Sequence, residues 1–480
     1  MRRTITPASP SVSAYNMDPG ELRSRAVDLP GMQGVHIREL FADAPVPIGF
    51  ETPEKLRAKI RELTLKGLSS VDLGKIGPKD SVNILASSHG FTLFGGEAYA
   101  EMIRTVKDEV ERRCGTSNIR LVAGAGLRFR ETEESIGKFG LGSYFQGKAS
   151  GACPVDEGIP IETEIGTLYG IKKVYNADWI IHTHNNDIRE LHYHRQIGRL
   201  FKPFTMSYAT IEMRSAYHQS MGPRAANFLP YAVFKSPFVQ NKFVCSVMLQ
   251  VAPTGIIGVN ADNDMVKQDA EFARLNLNWF GKILTMLGKI EDIILVIDYP
   301  GPLPYTTAGG ILFCNFLNAN VDEYDLDVTF PPYTRYSDLK GIDVDSESHL
   351  HKVELQFPPP NPAIKALVIN YCSKGFPSTF FAQRLPTLVV GAQAKFLNEC
   401  PQNNKFMNYA IEVKDLKKAV GFAMQFGKTA NILAFDGAIG GFNVSEPLAK
   451  EMMETARQVA EEVDEVLLPK WLKQRGIINC

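Results

Sequence analysis

The stretch SVNILASSHGFTLFGGEAYAEMIRTVKDEVERRCGTSNIRLVAGAG, Ser81 to Gly126, decides the fold class. Its opening SVNILASS is a short apolar run of strand length, AYAEMIRTVKDEVERRC has helical periodicity, and NIRLVAGAG is a second apolar run that ends in glycines. Strand, helix and strand in succession are the βαβ grammar of an α/β protein. Just upstream, PEKLRAKIRELTLKGL (Pro53 to Leu68) places Leu56, Ile60 and Leu63 on one helical face, with Thr52 and Glu54 as start signals. The residues before it are rich in Pro and Gly and read as an extended arm with one short strand. Downstream, KKVYNADWIIHTH ends a strand, FVCSVMLQVAP and GIIGVNAD form a hairpin, and DAEFARLNLNWFGKILTMLGKI is a long helix. Strand grammar then restarts in DIILVIDYP and recurs in ALVINYCS, TLVVGAQA and ANILAFDG, with helical VKDLKKAVGFAMQFG among them. The tail opens at Ser445, a plausible N-cap, and runs as an amphipathic helix.

The 480 residues, 44% hydrophobic and 22% charged, exceed what one core usually fills. The expectation is therefore two α/β domains with a cleft between them. A larger N-terminal unit over 1–285 holds a mixed or parallel sheet, a smaller α/β unit covers 290–445, and the terminal helix of 446–480 packs back on the first. Lys plus Arg is 52 and Asp plus Glu is 53, so no global field draws the chain to nucleic acid or anionic lipid. The seven cysteines are odd in number, scattered, and free of CxxC pairs, which suits a reducing compartment. No stretch reaches the roughly 18 apolar residues of a membrane helix. A cytoplasmic protein with no membrane partner is expected.

Function is read from one region. Five of the nine histidines (His182, His184, His192, His194 and His218) fall in IIHTHNNDIRELHYHRQIGRLFKPFTMSYATIEMRSAYH, after the apolar strand ADWII. Strand carboxyl ends are where open α/β sheets hold ligands, and clustered imidazoles suit metal binding or proton transfer. No simple zinc spacing fits; His182 and His184 are expected on opposite sides of a continuing strand. A mononuclear zinc or iron hydrolase using His182, His184 and His192 or His194, with Asp187 or Glu190, remains one reading of these residues.

The order of several segments resembles the nickel-pincer lactate racemase family. His192, Lys202 ten residues on, and His218 sixteen beyond that follow the family's spacing of catalytic His, cofactor lysine and nickel-binding His. Upstream, GAGLRFRETEESIGKFG (Gly124 to Gly140) is similar to the family's GTGxHR and TxEExxxKFG segments; downstream, IIGVNADND is similar to its IVGxxAGD hairpin. The resemblance spans roughly the whole chain. It implies a pyridinium-3-thioamide-5-thiocarboxylic acid mononucleotide linked to Lys202, nickel bound by His218, and loading by cofactor-synthesis proteins. It also implies His192 as the base that takes a hydroxyl proton while hydride leaves the adjacent carbon. Ser88, His89, Gly124 and Gly126 fall where the family contacts its cofactor.

The substrate side departs from the family. Arg128 stands where a second catalytic His is usual and, being always protonated, cannot act as a base; it is expected at the reacting centre as a clamp for a carboxylate or phosphate. Ser88 and Phe91 replace the Asp and Arg of an SDxTRP segment. The family's YQxxK segment would fall near Ile311 to Phe316, which offers no lysine and no tyrosine. Phe380 stands for a tryptophan, and Gln383 keeps a glutamine. The expected reaction is racemisation or epimerisation of a 2-hydroxy acid other than lactate. A homologue that binds cofactor without catalysis is a further alternative.

Overall fold

The computed structural model describes residues 3–7, 18–21, 24–91, 95–125, 131–186, 200–219, 227–299, 322, 324–328, 334–336, 355–357, 360–372, 379–399 and 405–477. Among these the chain is α/β, built on two large sheets. Strands are numbered along the chain. β1 (Met32–His36) belongs to the second sheet. The first sheet takes β2 (Val82–Ser87), β3 (Ile119–Gly124) and β4 (Ala149–Ala152), then β7 (Trp179–Asn185), β8 (Phe243–Ala252) and β9 (Gly255–Asp262). Between them lies a separate hairpin, β5 (Gly158–Thr163) with β6 (Gly166–Ile171), which the sequence reading did not place. The first sheet runs in the order β4-β3-β2-β7-β8-β9 and is parallel except for β9, which pairs antiparallel with β8.

The second sheet takes β10 (Ile293–Asp298), β13 (Ile364–Tyr371), β14 (Thr387–Val390), β15 (Ile411–Val413), β16 (Ile432–Phe435) and β17 (Gly441–Ser445). A small ribbon pairs β11 (Thr334–Tyr336) with β12 (Leu355–Phe357). The order is β1-β17-β16-β10-β13-β14-β15, with β16, β10, β13, β14 and β15 parallel. The central strands β2, β10 and β13 are buried almost throughout, which explains why they read as apolar runs without alternation. Residues 32–36, expected with the N-terminal unit, instead pair antiparallel with β17 near the chain's other end.

The main helices are α1 (Pro53–Leu68), α2 (Gly96–Cys114), α3 (Ile211–Gln219), α4 (Met265–Gly288), α5 (Gly391–Asn398), α6 (Leu416–Gly427) and α7 (Glu446–Glu462). Thr52 caps α1 as expected, its side chain accepting from the Lys55 amide at 3.3 Å. The buried stripe of α1 is Leu56, Ile60, Thr64 and Leu68, so Thr64 sits where Leu63 was expected. Its hydroxyl is satisfied by the Ile60 carbonyl at 2.7 Å, which makes a buried threonine tolerable there.

The two sheets share one core cluster, and each also has a cluster of its own on its other side. One continuous apolar cluster contains Ile84 and Val247 of the first sheet, Ile293 and Leu367 of the second, and Leu277, Phe280, Ile283 and Met286 of α4. The tail helix α7 packs on α4 and also touches β1 and β17, so it contacts both halves. Lys282 of α4, almost fully buried, is neutralised by Asp43 at 2.5 Å and by Asp464 at 2.8 Å. No helix among the described residues is long and apolar enough to cross a membrane.

Candidate functional site

In the first sheet the chain lays β2, β3 and β4 outward in one direction, then places β7 on the other side of β2 and continues to β8. The strand order therefore reverses between β2 and β7. In open α/β sheets the connections leave such a point in opposite directions and open a crevice at the carboxyl ends. The residues at those ends are Ser87, Ser88 and His89 after β2, and His184, Asn185 and Asn186 at the end of β7, with Gly124 at the end of neighbouring β3.

The segment 200–210 crosses these ends. Ser207 donates or accepts a hydroxyl hydrogen bond with Ser87 at 2.9 Å, and its backbone lies directly over Gly124, where a Cβ would meet the Ser207 carbonyl oxygen at 2.1 Å. Gly124 is required by this close approach. The hairpin β5-β6 holds the segment from outside: the Ile171 amide donates to the Tyr208 carbonyl at 2.9 Å, and Gly170 bridges to Ala209. Lys202 begins a short 3-10 turn, Lys202–Phe204, and is only 4% exposed. Its Nζ lies 6.0 Å from the ring centroid of Tyr217 on α3.

Two buried basic side chains fix this segment. His182 of β7 shares a hydrogen bond of 3.0 Å between Nδ1 and the Tyr208 hydroxyl, and its ring lies edge-on to Tyr208. Burial drives its pKa down to about 3, against a smaller opposing effect of the Leu200 backbone, so the ring is neutral at physiological pH. His182 thus faces residues on both sides of Lys202. Arg214 of α3 is fully buried; its Nε donates to the Met206 carbonyl at 2.6 Å and a terminal nitrogen donates to the Ala125 carbonyl at 2.7 Å. Burial pushes its pKa down to about 10, with Glu131 acting in the other direction, so it stays charged. Arg214 ties the 200–210 segment to Ala125, which directly follows β3.

Asp269 of α4 holds the start of the segment by accepting the Leu200 amide at 3.3 Å. Burial pushes its pKa up from 3.8 to about 7, with the Leu200 amide opposing. A raised carboxyl pKa gives stability that is complete below pH 3.8 and is lost as pH rises through 7. Asp269→Asn keeps an acceptor and removes the ionisation. At about 1.4 kcal/mol per pKa unit, and with solvent screening at this half-buried side chain, the variant should gain about 2 kcal/mol relative to the parent between about pH 5 and pH 8. Urea unfolding at both pH values measures this, and an unchanged difference would rule it out.

Ser88 and Gly124 lie at or just beyond the ends of neighbouring strands crossed by the segment that contains Lys202, and Lys202 lies near Tyr217 of α3. Ser88 is buried, and His89, whose amide donates to the Ser87 hydroxyl at 3.4 Å, is half-buried. His218 follows Tyr217 on α3, and its side chain lies outside the described residues. Arg128, Gly126, His192 and His194 lie outside them too, as do Asp187, Glu190 and residues 311–316. Gln383 is exposed after the short helix Thr379–Ala382 that includes Phe380, whose side chain is also outside the description. His182 and His184 share a face of β7, their ring centroids 6.1 Å apart. This corrects the expectation of opposite sides, since residues two apart on a strand point the same way.

Sequence reasoning missed Tyr208, Arg214 and Asp269. The available signal for Arg214 was weak: it lies between Met213 and Tyr217, two apolar residues on neighbouring turns of one helix. Comparison with known proteins finds no matching family model and no matching curated protein. Among the described residues no group of three or more His, Cys, Asp or Glu side chains is placed to hold a metal ion.

Proposed function

We propose that the chain is a lactate-racemase-like isomerase, a racemase or epimerase of a 2-hydroxy acid other than lactate that uses a nickel-pincer nucleotide. The observation that carries the reading is the burial of Lys202 at the point where the first sheet reverses its strand order. A lysine amine, once free of its proton, is a nucleophile. That chemistry fits covalent attachment of a nucleotide cofactor at Lys202. Nearby residues fit as well: Ser88 and His89 follow β2, the close-packed Gly124 ends β3, Gly126 is two residues on in sequence, and His218 follows in sequence Tyr217, whose ring neighbours Lys202.

In this reading Lys202 carries the pyridinium-based mononucleotide and His218 supplies the protein's ligand to nickel, for which imidazole is a suitable donor. The bound group supplies a hydride acceptor beside the hydroxyl-bearing carbon. His192 takes the proton from the substrate hydroxyl and returns it. Arg128, fixed in its positive charge, holds the substrate carboxylate at the reacting centre. Phe380 and Gln383 border the substrate from the second sheet. Loading depends on cofactor-synthesis proteins, and seven scattered cysteines without a CxxC pair suit a cytoplasmic setting.

The test uses the full chain made in a host that also synthesises the pincer. Intact mass is expected to show a covalent adduct and metal analysis to show nickel, both absent in Lys202→Ala. His218→Ala should keep the adduct and lose nickel. Unmodified, metal-free protein under verified cofactor supply would sink the reading, and zinc without an adduct would favour a hydrolase.

A further inference from the structure

The second sheet has its own reversal of strand order. From β10 the chain proceeds to β13, β14 and β15 on one side, and β16 lies on the other. The carboxyl ends of these strands carry four buried polar side chains: Asp298 ending β10, Asn370 of β13, Gln393 after β14, and Asp436 after β16. The two acids are satisfied within the protein. Asp298 accepts from Arg25 Nε at 2.9 Å, from the Ala26 amide at 2.7 Å and from Asn370 Nδ2 at 2.9 Å. Asp436 accepts from Asn443 Nδ2 at 2.7 Å and from the Ala438 amide at 3.0 Å.

Gln393 is different. It is fully buried in the first turn of α5, and its Oε1 accepts the Cys372 amide at 3.0 Å, so the carboxamide bridges the carboxyl ends of β13 and β14. That bond fixes which end of the carboxamide is oxygen. Its Nε2 has no hydrogen-bond partner among the described residues. A buried amide donor without an acceptor forfeits its hydration with nothing in return, and such groups are rare. The surroundings favour an anionic oxygen as the missing acceptor. The turn opens a helix whose first residues have no acidic side chain and whose N-cap, Val390, offers no side-chain cap. The exposed Glu412, whose Oε1 lies 3.7 Å from where a Cβ on Gly391 would be, is a competing carboxylate that a bound anion must displace.

We propose that the Gln393 amide and the first turn of α5 form a binding site for a small carboxylate. The site has a fixed acceptor side, occupied by the Cys372 amide, and a donor side that is complete only with a ligand oxygen. It requires neither Lys202 nor any cofactor.

The test titrates lactate and oxalate into the full-length protein made without the pincer pathway, followed by calorimetry, with inorganic phosphate as the comparison anion. A carboxylate should bind, and Gln393→Glu should weaken it at least tenfold. That variant keeps an oxygen for the Cys372 amide but removes the amide donor, and its folding is checked by circular dichroism before titration. Gln393→Met should weaken binding as much without adding charge. Lys202→Ala should bind as the parent does, which separates this site from the cofactor reading. Absence of carboxylate binding to the parent, equal binding of phosphate, or undiminished binding in a folded Gln393→Glu protein would each overturn the proposal.

Discussion

Gly124→Ala is expected to destabilise the protein by about 4 kcal/mol and to bring Lys202 within reach of amine-labelling reagents. A Cβ at this position would lie 2.1 Å from the Ser207 carbonyl oxygen, 2.7 Å from its carbonyl carbon and 2.8 Å from its Cβ. The first two are backbone atoms, so no side-chain rotation relieves the clash. Either β3 shifts within a buried parallel sheet or the 200–210 segment lifts from the strand ends. The second route is cheaper, because the segment is held by individual hydrogen bonds at Ser87, His182 and Arg214 rather than by a full ladder. Urea unfolding gives the stability, and peptide mass mapping after brief acylation gives the accessibility of Lys202. A variant within about 0.5 kcal/mol of the parent, with Lys202 still protected, would show that the segment does not rest on β3.

Arg214→Met should cost about 3 kcal/mol. The substitution preserves much of the side chain's bulk but removes the Ala125 carbonyl's donor and leaves the Met206 carbonyl with the longer bond from the Ala209 amide at 3.3 Å. Removing a buried charge returns part of the loss, because the guanidinium itself is held away from water. Arg214→Lys should be nearly as destabilising. It keeps the charge, yet a single ammonium group cannot reproduce the planar fork that reaches two carbonyls on different segments. Denaturant unfolding of the two variants side by side decides this. A lysine variant as stable as the parent would mean that charge alone, and not the fork, holds the segment.

Much of the fold could be read from sequence wherever structure is set locally. The strands at Val82–Ser87, Ile119–Gly124 and Ile293–Asp298 are apolar runs because both faces of their sheets are covered. The antiparallel pair Phe243–Ala252 and Gly255–Asp262 is announced by its tight connection. What sequence could not show is which strands become neighbours. Nothing local in MQGVH says that it pairs with Gly441–Ser445, and nothing local shows that α4 joins a core cluster shared by both sheets.

The site was legible in the same partial way. Lys202 and Gly124 stood out through spacing and through the resemblance, whereas the groups that fix them did not. Ser207 and Tyr208 are ordinary residues until the chain lays them across Gly124 and His182. Arg214 lies in a helix whose amphipathic pattern is weak, and only the three-dimensional arrangement shows that its charge faces inward.

The pairing of Met32–His36 with Gly441–Ser445 also constrains the order of events during synthesis. Strands β2 to β9 all emerge well before the chain is finished, so the first sheet can assemble while translation continues. β1 emerges first but must wait for about 400 further residues, a long closure for one contact. Until β16 and β17 arrive, long after β10 is made, the edge of β10 has no neighbour on that side, and such an unpaired edge invites association with other nascent chains. A chaperone that shields this edge late in translation should therefore raise the yield of folded protein more than one acting on the early, self-sufficient half.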